Sequence, residues 1–71
     1  MSSPLTAPQL SAAQQIHTLL TAKHYGGSFY RLLAEAALIA DPVNRDTLFT
    51  AFPGINATYG PKSMFYREDL G

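Results

Sequence analysis

Residues 28–40 read SFYRLLAEAALIA, and residues 41–42 follow as Asp-Pro. Ser28 is placed to cap a helix over 28–40, and Asp41-Pro42 supplies a second cap with proline at the first position of a new helix. Inside the run the polar residues are Arg31, Glu35 and the phenol of Tyr30. Phe29, Leu32, Leu33, Ala36, Ala37, Ile39 and Ala40 cover more than half of the helical wheel. A helix apolar over so wide an arc belongs at the centre of a packed structure or in an interface.

Working outward, Thr6 and Ala7-Pro8 open a preceding helix over 7–23, which stops before Gly26-Gly27. On its wheel Ala12, Ala13, Ile16, Leu19 and Leu20 share one arc, while Gln14, Gln15, Thr18 and Thr21 lie away from it. After Asp41 a third helix over 42–52 puts Leu48, Phe49 and Phe52 on one face, and Pro53-Gly54 ends it. In the remaining segment, 55–71, Gly60-Pro61 marks a turn. Tyr59, Met64, Phe65, Tyr66 and Leu70 make this segment too apolar for a solvated tail. The pattern predicts an all-α fold: a single small three-helix domain over 1–71 with an ordered, aromatic-rich C-terminal segment. The expected core is Ile16, Leu19, Leu20, Phe29, Leu32, Leu33, Ala36, Ile39, Leu48, Phe49 and Phe52.

Size and composition bear on function. A 71-residue chain has a thin core, and small domains compensate with disulfides, a metal or oligomerisation. Cysteine is absent, which removes disulfides. His17 and His24 stand two helical turns apart, about 10 Å, so they do not share one ion on a straight helix. Oligomerisation is the remaining route. Charged residues make up 14% of the chain against about 25% in an ordinary domain, so there is little charge to cover apolar surface. Five Lys/Arg balance five Asp/Glu, which counts against capture of nucleic acid. The first ten residues lack the basic start and apolar run of a signal peptide, and residues 32–40 are too short to span a membrane. The expected setting is cytoplasmic.

No residue set carries a catalytic, cofactor or metal assignment. Gly26-Gly27-Ser28 lacks the strand and lysine of a phosphate loop and reads as an interhelical turn. Asp41 is explained as a cap, and Asp46 by the helix dipole. Tyr59, Phe65 and Tyr66 lack the interleaved basic residues of a base-stacking platform. Arg31 and Glu35, one turn apart, are the charges that would rim an apolar contact surface and set its register. The expected interface residues are Tyr30, Arg31, Leu33, Glu35, Leu38, Phe65 and Tyr66.

Gly27-Ser28-Phe29, Ala34, Ala40-Asp41, Asn44, Leu48, Ala51-Phe52-Pro53 and Tyr59 form a G-S-F…A…A-D-x-x-N…L…A-F-P…Y pattern across residues 26–60. In this the chain resembles short uncharacterised proteins of phage and prophage regions. The resemblance implies a bacterial or phage cytoplasmic setting and no particular chemistry. The residues themselves favour a non-catalytic protein-interaction or structural module, a homodimer that also engages another protein, without cofactor. The alternative is a small helix-turn-helix regulator reading DNA with Asn44, Arg45 and Thr47 on its third helix. An enzyme ranks third; it would need a site completed across a dimer, with His17 or His24 and a tyrosine.

Overall fold

The computed structural model describes residues 10–70, and it is all-helical. The described residues form α1 (Ala12–Tyr25), α2 (Ser28–Ile39), α3 (Pro42–Ala51) and α4 (Pro53–Tyr59), with no strand among them. α1 packs on α2 and α4, and α3 packs on both α2 and α4. The radius of gyration, 10.7 Å, is close to the roughly 11 Å of a compact domain of this length.

Local chemistry accounts for each boundary. Ser11 begins α1 through a reciprocal capping box: the Gln14 N–H donates to Ser11 Oγ (3.0 Å) and the Ser11 N–H donates to Gln14 Oε1 (2.9 Å). This corrects the expected start at residue 7, since Leu10 and Ser11 precede the helix; the Thr6 cap lies outside the described residues. Lys23 and His24 occupy the last turn, where positive charge suits the helix dipole. Gly27, not Ser28, is the N-cap of α2, and Ser28 is its first helical residue. Asp41 caps α3 as expected, its carboxylate accepting the Asn44 N–H at 2.7 Å, with Pro42 in the first turn.

Pro53-Gly54 does more than end α3. Proline disfavours helical geometry in the residue before it, so Phe52 breaks out at φ −126°, ψ 70°. Pro53 then serves as the first residue of α4. The stretch from 55 onward is therefore helical to Tyr59 before it becomes an irregular segment.

The core consists of Leu10, Leu19, Ala22, Ala34, Ala37, Phe49, Ile55 and Tyr59, with Tyr30, Leu33, Leu38 and Leu48 packed against it. Leu19, Leu33, Leu48 and Phe49 match the expectation. Ile16 and Leu20 are half-buried, while Phe29, Leu32, Ala36, Ile39 and Phe52 face solvent. Two causes explain the difference. The inner face of α1 runs through Gln15, Thr18, Leu19, Thr21 and Ala22, so much of what reads as its polar side is buried. Thr21 tolerates this because its hydroxyl donates to the His17 carbonyl (2.7 Å) and accepts the Arg67 N–H (3.2 Å). Gln15 Nε2 donates to Asp46 at 2.7 Å, tying α1 to α3. On α2, the small residues Ala34 and Ala37 face inward and allow close helix approach, which turns larger side chains outward.

Close packing recurs at Gly26. A Cβ there would sit 2.9 Å from Tyr30 Cβ and 2.5 Å from the Ala22 carbonyl oxygen, so the α1–α2 turn has room for hydrogen only. Aromatic rings hold the irregular C-terminal segment. From Phe52 the contacts run through Phe29 (5.7 Å), Tyr30 (5.3 Å), Tyr59 (6.1 Å), Phe65 (5.9 Å), Tyr25 (5.4 Å) and His24 (4.6 Å). Each such pair adds about 0.5–1.5 kcal/mol beyond area burial. The chain of rings links α3, α2, α4, the C-terminal segment and α1.

Candidate functional site

The most distinctive surface lies on the outer side of α2. At about 100° per residue, Phe29, Leu32, Ala36 and Ile39 fall within an arc of about 80°, on the side away from Ala34 and Ala37. All four are exposed: Phe29 and Leu32 each at 59%, Ile39 at 89%, and Ala36 beside them. Their separations are three, four and three residues, the alternation of a coiled-coil seam. Val43, four residues on, is 74% exposed on the first turn of α3. At the N-terminal end the Phe52 ring lies against Phe29.

Glu35 and then Arg31 follow along one flank of this stripe. Among the described residues the ion pair present is Arg67–Asp69, and neither Arg31 nor Glu35 joins it. Their order works against pairing within the helix. Glutamate preceding the base is the favourable i,i+4 arrangement, and here arginine comes first.

The remaining expected interface residues divide into two groups. Tyr30, Leu33 and Leu38 are partly buried and pack on the core, which leaves them little free surface. Phe65 is 39% exposed, with its ring against Tyr25 and Tyr59, and Tyr66 is half-buried with its ring edge-on to His17 at 6.5 Å. Polarity alone places Phe29, Leu32, Ala36 and Ile39 in the core and so hides the outward stripe. Its 3-4-3 spacing is the signal that distinguishes that side.

Tyr66, Arg67 and Asp69 of the C-terminal segment titrate away from their ordinary values. Burial, helped by the hydrogen bond to Glu68 (3.0 Å) and its charge, pushes the Tyr66 phenol up to about 12. Arg67 donates two hydrogen bonds to Asp69 and one to the Tyr25 hydroxyl (3.3 Å). These bonds raise the Arg67 guanidinium above its ordinary range and hold the Asp69 carboxyl below its own. The groups satisfy one another and fasten the segment to α1.

His17 and His24 project from different depths of α1, one half-buried and the other exposed on Tyr25. Among the described residues no three His, Asp or Glu side chains gather as a metal site. Two open grooves are lined by Leu20, Lys23, His24 and Leu70, and by Val43, Asp46, Thr47, Thr50 and Ala51. Arg45, expected to contact bases, is instead turned onto the end of α2. It donates from Nε to the Ala37 carbonyl (2.9 Å) and from an Nη to those of Leu38 (3.3 Å) and Ala40 (3.0 Å). No helix among the described residues is long and apolar enough to cross a membrane. No protein-family model, curated protein or solved structure matches the chain.

Proposed function

We propose that this protein is a non-catalytic interaction module that works as a homo-oligomer through the outer face of α2. The observation that carries the reading is the exposed stripe of Phe29, Leu32, Ala36 and Ile39 on a chain with few charges. Contiguous apolar surface of this kind marks contact sites, whereas singly scattered apolar residues do not. The small core supports the same conclusion, because association adds the burial that a short chain lacks. The resemblance across residues 26–60 supports a bacterial or phage cytoplasmic setting. The DNA-reading alternative is weakened, since Arg45 is engaged with backbone carbonyls and the net charge is zero.

Light scattering over a wide concentration range tests the proposal. The wild-type chain is expected to rise from 7.7 kDa toward twice that mass. Leu32→Glu is expected to stay monomeric with its helical circular dichroism intact, because Leu32 is exposed in the single chain. A monomeric wild type at millimolar concentration would refute it.

A further inference from the structure

We infer that the occupant of the α2 stripe is the α2 stripe of a second copy, laid antiparallel about a two-fold axis that passes near residue 34. This deepens the proposal above and rests on it. The self-pairing follows from the order of side-chain sizes and the position of the charges.

Side-chain size comes first. In an antiparallel seam each position meets one of the other type in the partner. With the axis near residue 34, Phe29 faces the second copy's residue 39, and Leu32 faces its residue 36. Each layer then matches a large group with a complementary one: phenyl against isoleucine, and leucine into the space left by alanine. The two-fold operation repeats both layers, so one short stripe provides both sides of an isologous contact.

Charge then selects the direction. A two-fold antiparallel pair sets each flank of the seam against the same flank of its partner. The flank carrying Arg31 and Glu35 therefore meets its own copy. Glu35 comes within about two residues, or about 3 Å along the axis, of the partner's arginine. The relation occurs twice. A parallel pair would instead set this flank against the opposite one, where Leu33 of α2 and its C-cap Ala40 offer no charge. Among the described residues Arg31 and Glu35 make no ion pair, and both are left to act between chains.

Two experiments on the full chain decide the matter. In the first, Arg31→Glu and Glu35→Arg are prepared separately and then mixed. Each alone places like charges together twice per dimer, and its dimer dissociation constant is expected to rise about ten-fold or more. The equimolar mixture restores both opposite-charge pairs, so mixed dimers are expected to recover close to wild-type affinity. A role confined to one helix predicts no such rescue, and its absence overturns the inference. In the second, cysteine is introduced into this cysteine-free chain. A mixture of Phe29→Cys and Ile39→Cys is expected to form the mixed disulfide on mild oxidation. Ile39→Cys alone is expected not to cross-link, because the two thiols lie about 15 Å apart along the axis. Efficient self-cross-linking of Ile39→Cys without the mixed product would overturn the antiparallel arrangement while leaving an α2 dimer in place. A wild-type chain that is monomeric throughout would instead remove the underlying proposal.

Discussion

Ile55 and Ile39 are the same residue type on helices of the same small protein, yet one is fully buried and the other is 89% exposed. The same substitution at each isolates what burial contributes. Ile55 sits on α4 among the core residues, so Ile55→Val removes one methylene with no space for the surroundings to refill. The expected cost is about 1 kcal/mol, within the range of about 0.5–1.5 for this change. For a domain of this length that lowers Tm by about 4–8 °C. Ile55→Ala is more severe, at about 2–5 kcal/mol. A core this small supplies roughly 3–5 kcal/mol in total, so the alanine variant should be largely unfolded at room temperature. At Ile39 both substitutions should fall within about 0.5 kcal/mol of wild type, as for other exposed positions. Thermal and urea melts followed by circular dichroism provide the assay. They must be run dilute enough that association does not stabilise the folded state. Equal losses at the two positions, or a change under about 0.3 kcal/mol for Ile55→Val, would refute the placement of α4 in the core.

Other consequences follow from the same geometry. Gly26→Ala should destabilise by about 1–3 kcal/mol, since its methyl would crowd Tyr30 and the Ala22 carbonyl, measurable by urea denaturation. Arg45→Met should cost about 1–2 kcal/mol by freeing the carbonyls at the end of α2, and Arg45→Lys should recover only part of it, lacking the planar fork. The Tyr66 phenol should ionise at about 12, above the ordinary tyrosine value. Because the folded state holds this proton more tightly than the unfolded chain, its contribution is complete below pH 10 and declines as pH rises from 10 toward 12. Glu68→Gln should bring the late step in tyrosinate absorbance to lower pH, and an unchanged titration would contradict the Glu68 contact.

Punctuation was the most legible layer of this sequence. Gly26-Gly27 and Asp41-Pro42 separate the helices as their side-chain chemistry requires, and the all-helical class follows from them. The faces were harder to read. Wheel analysis sorts residues by polarity, yet Thr21 becomes an inward residue by bonding to the carbonyl one turn back and to the Arg67 backbone. That second bond joins residues distant in sequence. On α2, polarity alone could not choose between two apolar sides. The inward side was decided by the smallness of Ala34 and Ala37, which matters only once α1 approaches. Pro53 was ambiguous for a different reason: the same residue type ends one helix and begins the next. As for the site, Arg31 and Glu35 are recognisable as a charged rim, but polarity alone places the apolar residues they border in the core.

Intermolecular nuclear Overhauser contacts test the self-pairing of α2 most directly. Isotopically labelled chains would be mixed with unlabelled ones at a concentration where the solution mass is dimeric. Phe29 and Ile39 lie about 15 Å apart along one helix, too far for a contact within a chain. The antiparallel pair predicts a filtered contact between the Phe29 ring of one copy and the Ile39 methyl groups of the other. A dimer without that contact, or one whose intermolecular contacts come only from the outer surface of α3, would contradict it.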